Sequence, residues 1–516
     1  MTKPSNFLSI DCGTQSIRAL VFDTKGQLLV KTQVSLGEYS SPQPGWSEQE
    51  PEFFWDKLAE VCQQLWQTVK ASDIAGVALT TQRSTVINLD RNGTPLRPAI
   101  SWLDQRQAQN TPSLPFMDTC LRALGLYGPL ERLKKEAESN WIAEQQPELH
   151  RKTEHFLLLS AYLNHRLTGD FKDAVASQVG YLPFDFKALS WAKDSSWRYR
   201  ALNLQRRQMP EILPAGSSLG SICETAASAT GLLTGTPVFA AGSDKACEVL
   251  GSGCIDATSG ALSYGTTATF NVCSEKYFEA LPFQPAYPAV VPGQYNVETM
   301  VHRGYWMVNW FKKEFGLREE QLAAEQEVAP ETLFDDLLRQ VPPGSMGLVL
   351  QPYWSSGANS EGPEAKGAMI GFGDVHTRAH IYRAIIEGIG FALREGKERL
   401  EKRGKLRFER LRASGGGSQS DEILQITANL FNLPVERPHT YETSGLGAAM
   451  AAAVGCGVYA NFSDAAKAMV RCRDRFEPQQ EQVEIYEQLF QQVYRKLYGQ
   501  LRPSYRAIRR ITGYPN

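Results

Sequence analysis

No stretch of this sequence stays apolar for the ~20 residues that a bilayer-crossing helix needs. The longest small-residue apolar run, 445–459, is rich in Ala and Gly, falls well short of that, and reads as a buried helix. No C-x-x-C pair occurs among the nine scattered cysteines. Their odd number and wide spacing argue against a disulfide framework and a structural zinc site, and point to a reducing compartment. Charge of one sign is also missing: 54 Lys and Arg against 56 Asp and Glu give a net charge of −2. Neither nucleic acid nor an anionic membrane finds an electrostatic reason to bind. The first nine residues carry one Lys and too short an apolar run for a signal peptide. A cytoplasmic protein is expected. Finally, there is no G-x-x-x-x-G-K-[ST] segment, so any nucleotide must be held by another device.

What is present is long and ordinary in composition. At 516 residues, 42% apolar and 21% charged, the chain should form two or three globular domains. Its opening, 7–22, is an apolar run ending in Asp11, a turn containing Gly13, Thr14 and Ser16, and a second apolar run. This pattern reads as a hairpin. The N–H groups and hydroxyls of such a turn can ring an anion such as phosphate, and Asp11 beside it can hold a hydrated Mg²⁺. An ordinary hairpin with an Asp at its turn is the plainer alternative.

The segment 260–272 repeats this design, with Gly265-Thr266-Thr267 at its turn. One hydroxyl-rich hairpin heading each half suggests a duplicated fold that grips one polyphosphate from both sides. Between them run strands at 27–34, 74–79 and 84–89 and helices at 52–69, 121–137 and 153–167, an α/β pattern. The span 183–214 reads as irregular connection with short helices.

Polar residues cluster where strands end. Gln82 and Arg83 follow the strand 74–79, and Trp102, Asp104 and Arg106 lie in one short loop. An aromatic face beside a few polar groups suits a polyhydroxylated substrate; for Arg106 a surface ion pair is the expectation. Asp244 falls at a strand-to-helix junction, where it can be an N-cap or a carboxylate facing a cleft. The adjacent Lys245 favours its ionised form. In the second half, helices are expected at 306–315, 377–400 and 421–431, the last preceded by the triple-glycine turn 415–417.

These segments resemble, in order, the motifs of the FGGY family of carbohydrate kinases. The match rests on Ile10 to Ala19, Gly45-Trp46-Ser47-Glu48-Gln49, Ser243-Asp244-Lys245, Tyr264 to Thr267, 367–387 (with Phe372 as the departure) and Ser414 to Ser420. The resemblance implies an α/β fold of two ribonuclease H-like domains, as in actin and hexokinase, with a cleft between them. It places the division at 1–254 and 255–516. It implies transfer of the ATP γ-phosphoryl to a sugar or polyol hydroxyl, with ATP and Mg²⁺ as cofactors. Asp244 would be the general base and Asp11 would help hold Mg²⁺. Thr14, Gln15, Ser16, Arg18, Gly265, Thr266 and Thr267 would contact phosphates, and Gly304, Gly415, Gly416 and Ser420 would border the nucleotide. Gln82, Arg83, Trp102, Asp104, Asp244 and Lys245 would meet the sugar.

Two departures bear on the substrate. Glycerol kinases of the family read Arg-Glu where this chain has Arg83-Ser84, and members commonly place Gln or Asn where Lys245 stands. A ketose such as a ketopentose, or a related polyol, is therefore expected, with glycerol as the alternative within the family. An ATP-hydrolysing conformational switch on the same fold is the rival from another class. Beyond the small-molecule substrate, the expected partners are neither nucleic acid nor membrane; a homodimer is compatible with the sequence.

Overall fold

A computed structural model of the chain describes residues 5–354, 362 and 364–514. It contains two compact units, the first formed by Met1–Ile255 with Ala286–Asn296 and Thr443–Val470, the second by Asp256–Pro285, Val297–Glu442 and Arg471–Asn516.

The first unit is built on a six-stranded sheet. Its order is Ser218–Ser221, Pro237–Ser243, Ile74–Thr81, Asn6–Cys12, Ser16–Phe22, Leu28–Ser35. The strands Pro237–Ser243, Ile74–Thr81 and Asn6–Cys12 are mutually parallel, and the other three pair antiparallel. Successive side chains of a strand face opposite sides, and both sides are covered. Leu8, Ile10 and Cys12 enter one core with Phe54, Leu58 and Leu65 of the helix Pro51–Leu65. Phe7 and Leu20 enter the other, with Leu446 and Met450 of the helix Thr443–Gly455 and Leu250 of the helix Asp244–Gly251. By the same alternation Asp11 shares the face of Phe7.

The Ala/Gly-rich sequence after 443 has a packing reason. A Cβ on Gly447 would lie 2.0 Å from the Cys247 carbonyl oxygen, and one on Gly251 1.8 Å from that of Thr443. Backbone touches backbone where the two helices cross, and no side chain fits between them. That contact puts this late segment into the first unit.

The second unit repeats the sheet. Its strands run Tyr295–Val301, Ala268–Ser274, Ser259–Tyr264, Arg410–Ser414, Val435–Pro438, Cys472–Phe476. The hairpin Ser259–Tyr264/Ala268–Ser274 is antiparallel, Arg410–Ser414 and Val435–Pro438 are parallel to its first strand, and Cys472–Phe476 closes antiparallel. Read in opposite directions, the two sheets have one topology: the hairpin, two strands parallel to its first, and an antiparallel edge strand beyond them. The fold is thus two ribonuclease H-like α/β domains, each headed by its hairpin.

Three local expectations change. The helix expected over 121–137 is two helices, Pro115–Ala123 and Tyr127–Glu136, parted at Gly125, whose φ of +68° ends a helix. The helix expected from 153 begins at Leu159, because His155–Leu158 pairs with Val86–Leu89 as a strand; a four-residue apolar run fits either form. The span 183–214 contains short strands at Phe184–Asp185, Ser190–Trp191 and Glu211–Leu213 as well as short helices. Among the described residues, no helix is long and apolar enough to cross a membrane.

Candidate active site

In the first unit the sheet delivers its polar residues at strand ends. Asp11, one residue before the end of its strand, is 1% exposed and bonds Arg18 of the next strand at 2.9 Å. The turn after it is tight: Gly13 N–H donates to Ser16 O at 3.0 Å. A Cβ on Gly13 would meet nothing closer than 3.5 Å within the protein, so the turn itself leaves room there. Gln15 is exposed, and Ser16 accepts from Gln33 at 3.2 Å. Thr14 donates to Gln82 at 3.2 Å and accepts from the Trp102 indole at 2.9 Å. The expected phosphate turn and the expected sugar residues Gln82 and Trp102 are thus hydrogen-bonded neighbours.

Asp244 opens its helix at the first helical position. The capping is done by Ser243, whose hydroxyl accepts from the Ala246 N–H at 3.4 Å, so the Asp244 carboxylate is not the cap. Half-buried, it accepts the Lys245 N–H at 2.7 Å. Burial pushes its pKa up; the positive charges of Arg83, first, and then Lys245 pull it down. Lys245 itself pairs with Glu248 at 2.7 Å, and Arg83 lies over the Tyr287 ring at 5.6 Å. Burial pushes the Cys247 thiol up to about 12, and the charges of Asp11 and Asp244 add to that rise.

Asp104 is committed inside the protein. Its oxygens accept two bonds from the Arg106 guanidinium, at 2.7 and 2.6 Å, and one from Ser47 N–H at 2.7 Å. Arg106 is no surface residue. It is 8% exposed, paired also with Glu48 at 2.8 Å, and lies 4.0 Å and 4.5 Å from the ring centres of Trp46 and Trp141. The Gly45-Trp46-Ser47-Glu48-Gln49 segment is therefore the clamp of the loop 101–106, from which Trp102 projects, 43% exposed.

In the second unit the turn at Gly265 is tied down by main chain. Tyr305 N–H donates to Gly265 O at 3.2 Å and Trp306 N–H to Thr266 O at 3.3 Å; the Thr267 hydroxyl donates to His302 O at 3.1 Å. A Cβ on Gly304 would lie 2.6 Å from the Ala268 nitrogen. Gly415 has φ +80°, and a Cβ on Gly417 would press 2.2 Å from the Tyr305 ring, which stacks on Tyr264 at 4.8 Å. Gly416 faces open space. The Ser420 hydroxyl caps the helix Asp421–Phe431 through the Ile423 N–H and donates to Asp335 at 2.6 Å.

The structure thus gathers Asp11, Thr14, Arg18, Gln82, Arg83, Trp102, Asp244 and Lys245 in the first unit, and Gly265, Thr266, Thr267, Gly304, Gly415, Gly416 and Ser420 in the second. Sequence reasoning passed over Tyr39, whose hydroxyl accepts from Gln82, and Asp335, the partner of Ser420. Neither sits in a motif or a periodic pattern that marks it. Among the described residues no three His, Cys, Asp or Glu side chains converge on a metal-sized space. Mg²⁺ needs no such cage, since it keeps waters and binds one or two carboxylates with substrate phosphates, and Asp11 beside the turn fits that mode.

Models of the FGGY family of carbohydrate kinases match residues 6–251 (N-terminal domain) and 260–456 (C-terminal domain). A xylulose kinase of Lactococcus lactis subsp. lactis (strain IL1403) is 30% identical over 508 residues, 95% of this chain and 96% of the relative. A glycerol kinase of Deinococcus radiodurans is 28% identical, covering 94% of this chain and 95% of that protein. The crystal structure of a xylulose kinase from Rhodospirillum rubrum superposes with TM-score 0.80 at 26% identity, over 97% of this chain and all of the other.

Proposed function

Because this chain belongs to the FGGY family of carbohydrate kinases, and so is an ATP-dependent phosphotransferase with a sugar alcohol group as acceptor, we propose that its substrate is a ketose, with ketopentoses such as xylulose or ribulose first among the candidates. The observation that carries this reading is the setting of Asp244. A carboxylate half-buried at a helix start, its pKa raised by burial and drawn part of the way back by Arg83 and Lys245, suits a base that takes the hydroxyl proton late in phosphoryl transfer. Phosphoryl transfer asks mainly for placement and charge neutralisation. Thr14, Arg18, Thr266 and Thr267 would serve the phosphates, Gly304, Gly415, Gly416 and Ser420 the nucleoside. Asp11 would hold Mg²⁺, which when bound neutralises phosphate charge.

Two features favour a neutral ketose over glycerol or a sugar acid. Ser84 supplies no carboxylate for glycerol, and its hydroxyl is given to Val179 O at 3.1 Å from a backbone at φ +57°. Lys245, paired with Glu248, adds little net charge to attract an acid. Asp104 acts by positioning, holding the loop that presents Trp102 to the sugar.

The test is ADP release with Mg·ATP across a panel of ketoses, alditols and aldonic acids. A ketopentose should give the highest kcat/KM by at least tenfold; a higher value for glycerol or an aldonate would sink the substrate assignment.

A further inference from the structure

Side chains from four separate segments of the first unit form one hydrogen-bonded chain. Trp102 Nε1 donates to Thr14 Oγ1 at 2.9 Å, Thr14 Oγ1 donates to Gln82 Oε1 at 3.2 Å, and Gln82 Nε2 donates to the Tyr39 hydroxyl at 2.9 Å. A threonine hydroxyl has a single proton. Here Gln82 holds it, and a phosphate oxygen at this turn, able only to accept, receives no proton from the Thr14 hydroxyl. Gln82 is 3% exposed, and its amide is oriented from behind: with Nε2 engaged by Tyr39, Oε1 must face Thr14. Tyr39 belongs to no motif; its ring packs against Phe54 and its hydroxyl serves this orientation.

We propose that this chain is a latch: Gln82 withholds the Thr14 proton from the nucleotide phosphates until a hydroxyl of the acceptor sugar donates to Gln82 Oε1 in its place. Tyr39 is the positioning residue that sets the latch, and Trp102, touching both the sugar side and Thr14, is its third point. The proposal rests on the reading of Thr14 as a phosphate contact and Gln82 as a sugar contact. It gives the enzyme a reason to bind and hydrolyse ATP poorly before the acceptor arrives, when water would otherwise compete for the phosphoryl group. One neutral hydrogen bond gained or lost changes affinity two- to tenfold.

The decisive variant is Tyr39→Phe, which keeps the ring packed against Phe54 (centroids 6.3 Å apart) and removes the oxygen that orients Gln82. The amide is then free to rotate and the Thr14 proton is released. Titration calorimetry without sugar should show β,γ-methylene-ATP with Mg²⁺ binding about three- to tenfold tighter to Tyr39→Phe than to wild type. AMP, which lacks the outer phosphates, should bind both alike. Sugar-independent ADP release from ATP should rise in the same proportion. Gln82→Leu, which removes the acceptor itself, should reproduce the gain and guards against a folding defect of the first variant. Equal or weaker binding of the analogue by both variants, or a parallel change for AMP, overturns the latch. None of these titrations contains sugar, so a failure of the ketose panel would be told apart from a failure of the latch.

Discussion

The two hairpins share antiparallel pairing, a turn that begins Gly-Thr and their place in sheets of one topology, yet only the first is charged. In register, Asp11 corresponds to Ser263, and Arg18, which pairs with Asp11, corresponds to Thr269, which pairs with Ser263. The Asp11–Arg18 pair lies beside the turn, whereas Ser263 and Thr269 are uncharged and buried, the Thr269 hydroxyl accepting from the Asn271 amide at 2.9 Å. The strand ends diverge as well. After Ile74–Thr81 come Gln82 and Arg83, and after Pro237–Ser243 comes Asp244; the corresponding strand Arg410–Ser414 is followed by three glycines. On the proposed reading, one copy would carry the acid–base and acceptor groups and the other a backbone platform. A duplicated fold can divide labour in this way because the strand ends, not the sheet interior, carry the chemistry.

The sharpest way to break this asymmetry is to remove its one proposed base. Asp244→Asn should lower kcat by about 10²–10⁴-fold while ATP binding stays within about twofold of wild type; near-normal turnover would refute the assignment. Making the first hairpin resemble the second, Asp11→Ser, should cost about 10²-fold in kcat, measured at saturating Mg²⁺. The reverse exchange, Ser263→Asp, puts a charge where the residue is 3% exposed and should act on stability instead. A loss of about 3–5 kcal/mol is expected in denaturant titration.

The platform has its own test. Gly417→Ala drives a methyl against the Tyr305 ring and should cost about 1–3 kcal/mol of stability and raise the ATP KM more than the sugar KM; an unchanged ATP KM would detach this turn from the nucleotide. The smallest effect is on pH. Burial raises the Asp244 pKa, so the acid limb of kcat/KM should lie above the ordinary carboxylate range, with activity lost as pH falls through it. Arg83 and Lys245 each lower that pKa, so Arg83→Gln and Lys245→Gln should both move the limb upward, Arg83→Gln further. A downward movement in either variant would contradict the arrangement.

Much of this was legible in the sequence because it is local. A Gly-Thr turn between two apolar runs can hardly be anything but a hairpin, and its recurrence half a chain later announced the duplication. The strand-to-helix junction at Asp244 and the triple-glycine turn were visible for the same reason. The roles of Asp104 and Arg106 were not. A Trp-Leu-Asp-Gln-Arg loop looks exposed until Trp46 and Trp141 close over the guanidinium, and those rings come from segments far along the chain. Tyr39 and Asp335 are invisible for the same reason, since each matters through one hydrogen bond to a residue more than forty positions away.

The sequence by itself determined the two α/β halves, their paired turns and the residue types at the strand ends, because propensity, spacing and turn chemistry act over a few neighbours. Only the tertiary structure decided that the helix after 443 joins the first unit, that Asp104 answers to Arg106, and that Thr14, Gln82 and Tyr39 are linked by hydrogen bonds. Those outcomes depend on which distant groups are pressed together and what burial then costs them.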